Sequence, residues 1–457
     1  MLTAIDPTTG KMVREVSPVD EGGLNEIIEK AHSAFDAWRK TPFSERARVL
    51  KAAAEYMREN ADELGYLMTE EMGKPVGEAL GEVNKAAWCA EHYAEHGEAY
   101  LSEDVLESDA TRSYVQYLPL GAVLGILPWN APFWLAFRFC APALMAGNTC
   151  VMKHDPHVPG CAAAIAQVFE KIGAPKDIMV NLPAETPLVE KAIRHPHIQA
   201  VSFTGSDKAG ATVASIAASQ IKHCVLELGG SDPAIVLADA DLDKAADAIT
   251  LSRIINAGQS CIASKRIIVE TSVYDDMVQK MTERLSKLKV GDPRNKENQI
   301  GPIARPDLRE NLHRQVQKTV EAGARCVMGG EMSKGDGYFY PVTLLADVTN
   351  DMVACSEETF GPLAVLMKAE DVDEALDIAN DTPYGLAASI WTDTQRGVKL
   401  ATEIEAGQVV VNGIVKTDPR LPSGGIKRSG FGRELGPHGI HEFVNAQQVW
   451  VGPVKPA

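Results

Sequence analysis

The chemistry that stands out in this chain is a thiol with a carboxylate upstream of it. Gly258-Gln259-Ser260-Cys261 follows Glu227-Leu228-Gly229-Gly230. A thiolate attacks a carbonyl carbon, and a carboxylate can activate the water that releases the resulting thioester. The pair predicts an enzyme that carries an acyl-level substrate through a covalent intermediate. Gly258-Gln259 predicts a turn whose amides point at the sulfur, and such amides would lower the thiol pKa. Taken alone, Cys261 also reads as a buried inert cysteine. Glu227 follows the apolar Cys224-Val225-Leu226, which places it at a strand end facing a cleft. Alone it also reads as a surface glutamate in a turn. The two glycines after it permit close backbone approach.

Two further segments offer partners for that chemistry. Pro128-Trp129-Asn130 follows an apolar run, and the Asn130 amide is a candidate donor to a developing oxyanion, a role typically worth about 3–4 kcal/mol in the transition state. Phe203-Thr204-Gly205-Ser206 lies between an expected strand and an expected helix. This is not the dinucleotide fingerprint GxGxxG, but a strand–glycine–helix junction offers amides to a diphosphate. An ordinary turn accounts for either segment alone.

The elements that must position these residues follow from the hydropathy pattern. Residues 24–100 read as helical, with openings at Leu24 and at Phe43-Ser44-Glu45, where Ser44 is the expected N-cap. The run Glu78 to Tyr100 also reads as helix. Residues 112–118 alternate as a half-exposed strand does. From residue 121 the pattern becomes βαβ. Strands are expected at 122–127, 149–153, 178–182 and 200–204, and helices at 158–172 and 188–195. That alternation implies a parallel sheet with helices on its faces. A second α/β region starts near Gly229, with strands at 234–237, 267–269, 363–367 and 409–412 and helices at 274–288 and 308–322. The strand-like tail 442–451 is expected to pair with 112–118 in a small protruding sheet. Residues 120–147 are apolar but interrupted by Pro128, Asn130, Pro132, Arg138 and Pro142. They read as a buried strand, a tight turn and a packed helix, not a membrane span.

Composition narrows the function class. The chain has 457 residues with a net charge of −17. That length suits two or three domains, and that charge disfavours nucleic acid and anionic membranes as partners. The eight cysteines show no CxxC pair and no metal-ligand spacing with histidine. Their mostly apolar surroundings imply a reducing, cytoplasmic compartment. No basic region followed by an apolar stretch opens the chain, so no signal peptide is expected.

With these motifs on the page, the chain resembles the aldehyde dehydrogenase superfamily over nearly its whole length. The resemblance rests on Pro128-Trp129-Asn130, Lys153, Phe203-Thr204-Gly205-Ser206, Glu227-Leu228-Gly229-Gly230, Gly258-Gln259-Ser260-Cys261, Glu358-Thr359-Phe360-Gly361-Pro362 and Ser423–Gly430, in the family's order. It implies an α/β fold of the aldehyde dehydrogenase type. A Rossmann-type parallel-sheet cofactor domain would take residues 1–111 and 121–228, and an α/β catalytic domain 229–425. A small oligomerisation sheet would come from 112–120 and 440–457. The resemblance also implies roles. Cys261 attacks the aldehyde, Asn130 and the Cys261 amide hold the oxyanion, and Glu227 activates water. Lys153 and Glu358 hold the cofactor riboses, Phe360 backs the nicotinamide, and Gly205 and Ser206 mark the diphosphate helix. Trp129 and Leu228 complete the cofactor contacts. No metal is required.

Within the family the chain looks most like the branch that oxidises succinate semialdehyde, on Val151–His154, Val225–Pro233 and Gly430–Leu435. That branch implies a small aldehyde with a distal carboxylate, with Arg138 and Ser429 as its contacts and an intramolecular ion pair as the alternative role of Arg138. Glutarate semialdehyde, a neutral aldehyde and a CoA-acylating or phosphorylating reaction are the alternatives. Three positions depart from the family. Ile255 stands where relatives place a second arginine, leaving Arg253 or Arg420 as substitutes. Pro156 replaces a glutamate that binds the adenosine ribose, which predicts acceptance of NADP as well as NAD unless Asp155 turns inward. Ala263 removes a second cysteine near the nucleophile, so that local disulfide switch is absent. A homodimer or homotetramer is the assembly the resemblance implies.

Overall fold

The computed structural model describes residues 1–452. The end of the expected 440–457 segment, residues 453–457, lies outside the described residues. Two sheets carry the molecule. The first has six strands in the spatial order Gly430–Phe431, His223–Glu227, Ile198–Thr204, Ala122–Leu127, Thr149–His154, Met179–Asn181. All its pairings are parallel except that of Gly430–Phe431, which runs antiparallel to the end of His223–Glu227. Strands buried on both faces read as unbroken apolar runs, not as alternation. Ala122–Leu127 is buried at every position, as its sequence Ala-Val-Leu-Gly-Ile-Leu demands. The chain leaves Ala122–Leu127 for a neighbour on one side and returns on the other. A crevice therefore opens outside the carboxyl ends of Ala122–Leu127 and Ile198–Thr204, where such sheets bind ligands.

The second sheet has seven strands in the order Arg325–Met328, Thr343–Ala346, Leu363–Ala369, Arg266–Glu270, Pro233–Val236, Ala387–Trp391, Gln408–Val411. Only the pairing of Arg325–Met328 is antiparallel. The tail strand Val444–Val451 pairs antiparallel with Arg112–Pro119, joined by Asp104–Val105, in a three-stranded sheet. The expected protruding sheet therefore forms, although its tail strand is largely exposed. An N-terminal hairpin, Leu2–Asp6 with Lys11–Val16, was not legible in the pattern.

Helices complete the layers. Glu21–Trp38 starts at Asp20, whose carboxylate accepts from the Gly23 amide, a cap worth about 1 kcal/mol. Phe43–Glu59 follows Pro42 with no side-chain cap. Ser44 lies inside the first turn, which corrects its expected role. A proline before the first turn already sets an extended entry to the helix, so a serine cap is not needed there. Val76–Tyr100 packs across Pro132–Ala146, and all fifteen residues of the latter are buried. The 120–147 segment is thus the strand, turn and helix its interruptions imply. Among the described residues, no helix is long and apolar enough to cross a membrane.

Candidate active site

A cavity of about 680 Å³ lies where the carboxyl ends of the six-stranded sheet face the Ile255–Ala263 segment. Its wall includes Trp129, Asn130, Arg138, Gly205, Ser206, Glu227, Leu228, Cys261, Glu358 and Phe360, so ten residues singled out from sequence meet in one place. They arrive from turns after three parallel strands, from the buried helix Pro132–Ala146, and from two loops of the second sheet.

The nucleophile loop is built by unusual backbone. Asn256, Ala257 and Gly258 all have positive φ, at 54°, 53° and 74°. Only glycine adopts this region freely, so the other two residues are held there by their surroundings. The Asn256 amide donates to a Glu78 carboxylate oxygen at 2.7 Å, and the Asn256 side chain donates to the Asn130 and Gln259 carbonyls. Gly258 has no room for a side chain, since a Cβ there would sit 2.2 Å from the Gly361 carbonyl oxygen. Arg253 donates from one nitrogen to the Gly258 and Gly361 carbonyls, at 2.7 and 2.8 Å. It is wholly buried and pins the Cys261 loop to the Glu358–Gly361 loop. Lys265 donates to the Ser260 and Cys261 carbonyls from beneath and pairs with Glu358 at 3.3 Å.

Asn130 is fixed from both sides. Its side-chain amide donates to the Gln259 carbonyl at 3.2 Å, and its own carbonyl accepts from Lys74 at 2.9 Å. Lys74 is in turn paired with Glu82. The other Glu82 oxygen accepts from the Phe133 and Trp134 amides and so caps the buried helix, where a carboxylate also complements the helix dipole.

Glu227 is buried and meets Arg138, whose guanidinium donates to it at 3.1 Å. The same guanidinium nitrogen pairs with Glu434. Burial pushes the Glu227 carboxyl up to about 7 against the pull of Arg138, and nearby Glu434 adds to the rise. Burial also opposes the Arg138 charge, but Glu434 and Glu227 outweigh it and hold that group above its ordinary value. The half-buried Cys261 thiol is pushed up to about 11 by burial, although Lys265 and Arg138 pull it down. The expected lowered thiol pKa is therefore corrected. The lysine beneath the loop spends its donors on the Ser260 and Cys261 carbonyls, and desolvation of the thiolate wins.

The crevice side fits a dinucleotide. Gly205 and Ser206 open the helix Asp207–Ser219, and the Ser206 hydroxyl caps it by accepting from the Ala209 amide. The Thr204 hydroxyl lines the cavity wall and is buried without a protein partner. The Gly230 amide donates to Glu358 at 3.2 Å, and a Cβ on Gly229 would collide with that carboxylate. Trp129 and Phe360 meet edge to face, with centroids 5.8 Å apart. Lys153 ends the Thr149–His154 strand at the same edge of the sheet but is outside the cavity wall, and burial lowers its pKa. Asp155 does not turn inward. It accepts from the His157 backbone and ring at 2.9 and 2.7 Å.

Two substrate expectations change. Ser429 is wholly buried and away from the cavity. Its hydroxyl donates to the Gly229 carbonyl at 2.7 Å and accepts from the Gly385 amide at 3.0 Å. It braces the Glu227–Gly230 turn and touches no substrate space. Arg138 lines the cavity, but its Nη2 is shared by Glu227 and Glu434, while its Nε is buried without a protein partner. Neither proposed substitute arginine is free: Arg253 is pinned, and Arg420 forms a two-pronged pair with Asp418 at 2.8 and 2.6 Å. Sequence reasoning missed Lys85 and Thr417, which also line the cavity. Lys85 stands on the polar side of an otherwise helical pattern, where a lysine carries no signal by itself.

Fold and cavity together have the form of an α/β enzyme, with the Cys261 thiol on the wall of a crevice at the carboxyl ends of a parallel sheet. The aldehyde dehydrogenase family model matches residues 1–449. A probable succinate-semialdehyde dehydrogenase [NADP(+)] of Synechocystis sp. is 46% identical over 98% of this chain and 99% of its own. The succinate semialdehyde dehydrogenase [NAD(P)+] Sad of Escherichia coli is 42% identical over 98% of this chain and 97% of its own. The crystal structure of the Streptococcus pyogenes succinic semialdehyde dehydrogenase in complex with NADP+ superposes with a TM-score of 0.96 at 33% identity, covering 99% of this chain and all of that one (100%). The chain belongs to the aldehyde dehydrogenase family.

Proposed function

We propose that this protein oxidises succinate semialdehyde to succinate with NADP+ or NAD+, through a thiohemiacetal and a thioester on Cys261. The observation that carries this reading is the convergence of Cys261, Glu227 and Asn130 on one cavity beside the Gly205–Ser206 helix terminus; the names of the relatives supply the substrate. A thiol near 11 is protonated at neutral pH, so Glu227, poised near 7, accepts its proton as the sulfur adds to the aldehyde carbonyl. The Asn130 amide and the Cys261 backbone N–H hold the oxyanion. NAD(P)+ held in the crevice, with Phe360 behind its nicotinamide, would supply the hydride acceptor. Glu227 first releases that proton to solvent, then takes one from the water that cleaves the thioester and returns it to the Cys261 sulfur as succinate leaves. Gly205, Ser206, Leu228, Lys153, Glu358, Trp129 and Phe360 hold the cofactor. The regions 1–111 and 121–228 serve as the cofactor domain and 229–425 as the catalytic domain.

NADP+ is accepted because no carboxylate stands at Pro156 to repel a 2′-phosphate and Asp155 is occupied by His157. Residues 112–120 with the tail strand form the surface of a homodimer or homotetramer, supported by the exposed tail strand. The enzyme works in the cytoplasm, supported by its free cysteines, most of them buried. The test is acid formation from an aldehyde panel with each cofactor, without phosphate or CoA. Succinate semialdehyde is expected to give the highest kcat/KM. A requirement for CoA or phosphate overturns the hydrolytic reading, and a thousandfold preference for NAD+ overturns the cofactor reading.

A further inference from the structure

Three arginine or lysine side chains in the cavity wall or behind it already hold protein partners. Arg138 is shared by Glu227 and Glu434, Lys74 is paired with Glu82, and Arg253, behind the loop, is pinned to carbonyls. Ile255 offers no charge. Two further cations line the wall, the exposed Lys416 and the partly buried Lys85. Lys85, on the Val76–Tyr100 helix, projects its ammonium over the face of Trp134, 4.1 Å from the ring centroid, and donates to the Thr417 hydroxyl at 2.8 Å. Among the described residues it has no ion-pair partner. Burial and the neighbouring Arg138 pull its pKa down to about 8, while Glu82, Cys89 and Asp418 pull the other way. Asp418 is itself neutralised by Arg420. A cation kept out of water without a counter-ion is costly. An ammonium has three donors, and only one is used within the protein. The Thr417 hydroxyl accepts from Lys85, so its own hydrogen is left to donate outward.

We infer that Lys85, held by Thr417, anchors the distal carboxylate of the aldehyde substrate in place of the missing arginine at Ile255. This rests on the proposed oxidation and specifies its substrate class: short aldehydes with a carboxylate at the far end. The Trp134 face beneath the ammonium supplies an apolar floor for the connecting methylenes. Thr417 is a positioning residue that also contributes a hydrogen bond.

The test measures kcat/KM for succinate semialdehyde and for butanal, of equal carbon count, in the unaltered enzyme and in Lys85→Met, Lys85→Arg and Thr417→Val. It adds inhibition of butanal oxidation by succinate. Loss of a charge-assisted hydrogen bond predicts that the succinate semialdehyde to butanal ratio falls about 30–100-fold in Lys85→Met, carried by KM more than kcat. Lys85→Arg should recover part of the ratio, and Thr417→Val should lose about 3–10-fold for one neutral hydrogen bond. Succinate should inhibit the unaltered enzyme and not Lys85→Met. An unchanged ratio in Lys85→Met with undiminished succinate inhibition overturns the anchor and leaves the oxidation standing. An unaltered enzyme with no preference for succinate semialdehyde overturns the substrate reading, and the succinate inhibition arm then decides Lys85 separately.

Discussion

Two charged regions of the cavity wall treat charge in opposite ways. At the first, beside Cys261, Arg138 pairs with both Glu227 and Glu434 in a buried cluster, and Lys265 is committed to the loop beneath Cys261 and to Glu358. At the second, Lys85 has a hydroxyl and an aromatic face but no carboxylate paired with it. The first carries its own counter-ions and so keeps its geometry before any ligand arrives. The second leaves a charge for the ligand to complete. Reactivity and selectivity are thereby separated in one space: changes at the first should affect every aldehyde, and changes at the second should sort them.

The sharpest way to break that contrast is at the sulfur. Cys261→Ala should lower oxidation of all aldehydes alike by at least about 10⁴-fold, because no other group forms the covalent adduct, while cofactor binding, followed by fluorescence titration, is retained. A selective loss for one aldehyde would show that the first region also discriminates. Next in size, Glu227→Gln should cut steady-state turnover by about 10²–10⁴-fold, the usual worth of a general base. Thioester formation should slow along with its hydrolysis, visible as a slower burst of cofactor reduction. In the unaltered enzyme the base must be ionised to work. Turnover should therefore rise with pH up to about 7 and level off above it, following the raised Glu227 pKa. A profile that levels off near 4.5 would place the base elsewhere. The smallest effect concerns stability. Arg138→Met strands two buried carboxylates and should cost about 3–5 kcal/mol in urea unfolding. Lys85→Met breaks no ion pair and should change stability by less than about 1 kcal/mol. Equal losses in the two would erase the difference between the regions.

The parts legible in the sequence were those written locally. Ala122–Leu127 reads as a strand because an unbroken apolar run needs two covered faces, and it is found at those residues. Glu227 was placed at a strand end by Cys224-Val225-Leu226 before it. The illegible parts depend on distant partners. Arg138 sits in an apolar helix whose charge demanded a counter-ion, but nothing local pointed to Glu434. Ser429 was placed near substrate by its motif, whereas its hydroxyl faces the Gly229 carbonyl. Lys85 and Thr417 come from segments with no motif at all, and only the fold brings them together. Thr343–Ala346 is a strand of four residues, too short to show a period. The thiol pKa was misjudged because desolvation is a property of the assembled cavity, not of Gly258-Gln259.

The pairing of Gly430–Phe431 with the end of His223–Glu227 sets an order of events during synthesis. The strand that ends in Glu227 keeps an open edge until residues 430–434 have left the ribosome, and Glu434, the second carboxylate on Arg138, arrives in that same stretch. Val444–Val451 then closes on Arg112–Pro119. Contacts this remote in sequence form late and leave strand edges exposed meanwhile. A chain released before residue 430 would hold Cys261, Asn130 and Glu227 yet lack the pieces that seat them. Chains that stop before residue 430 are expected to be idle and prone to edge-to-edge association.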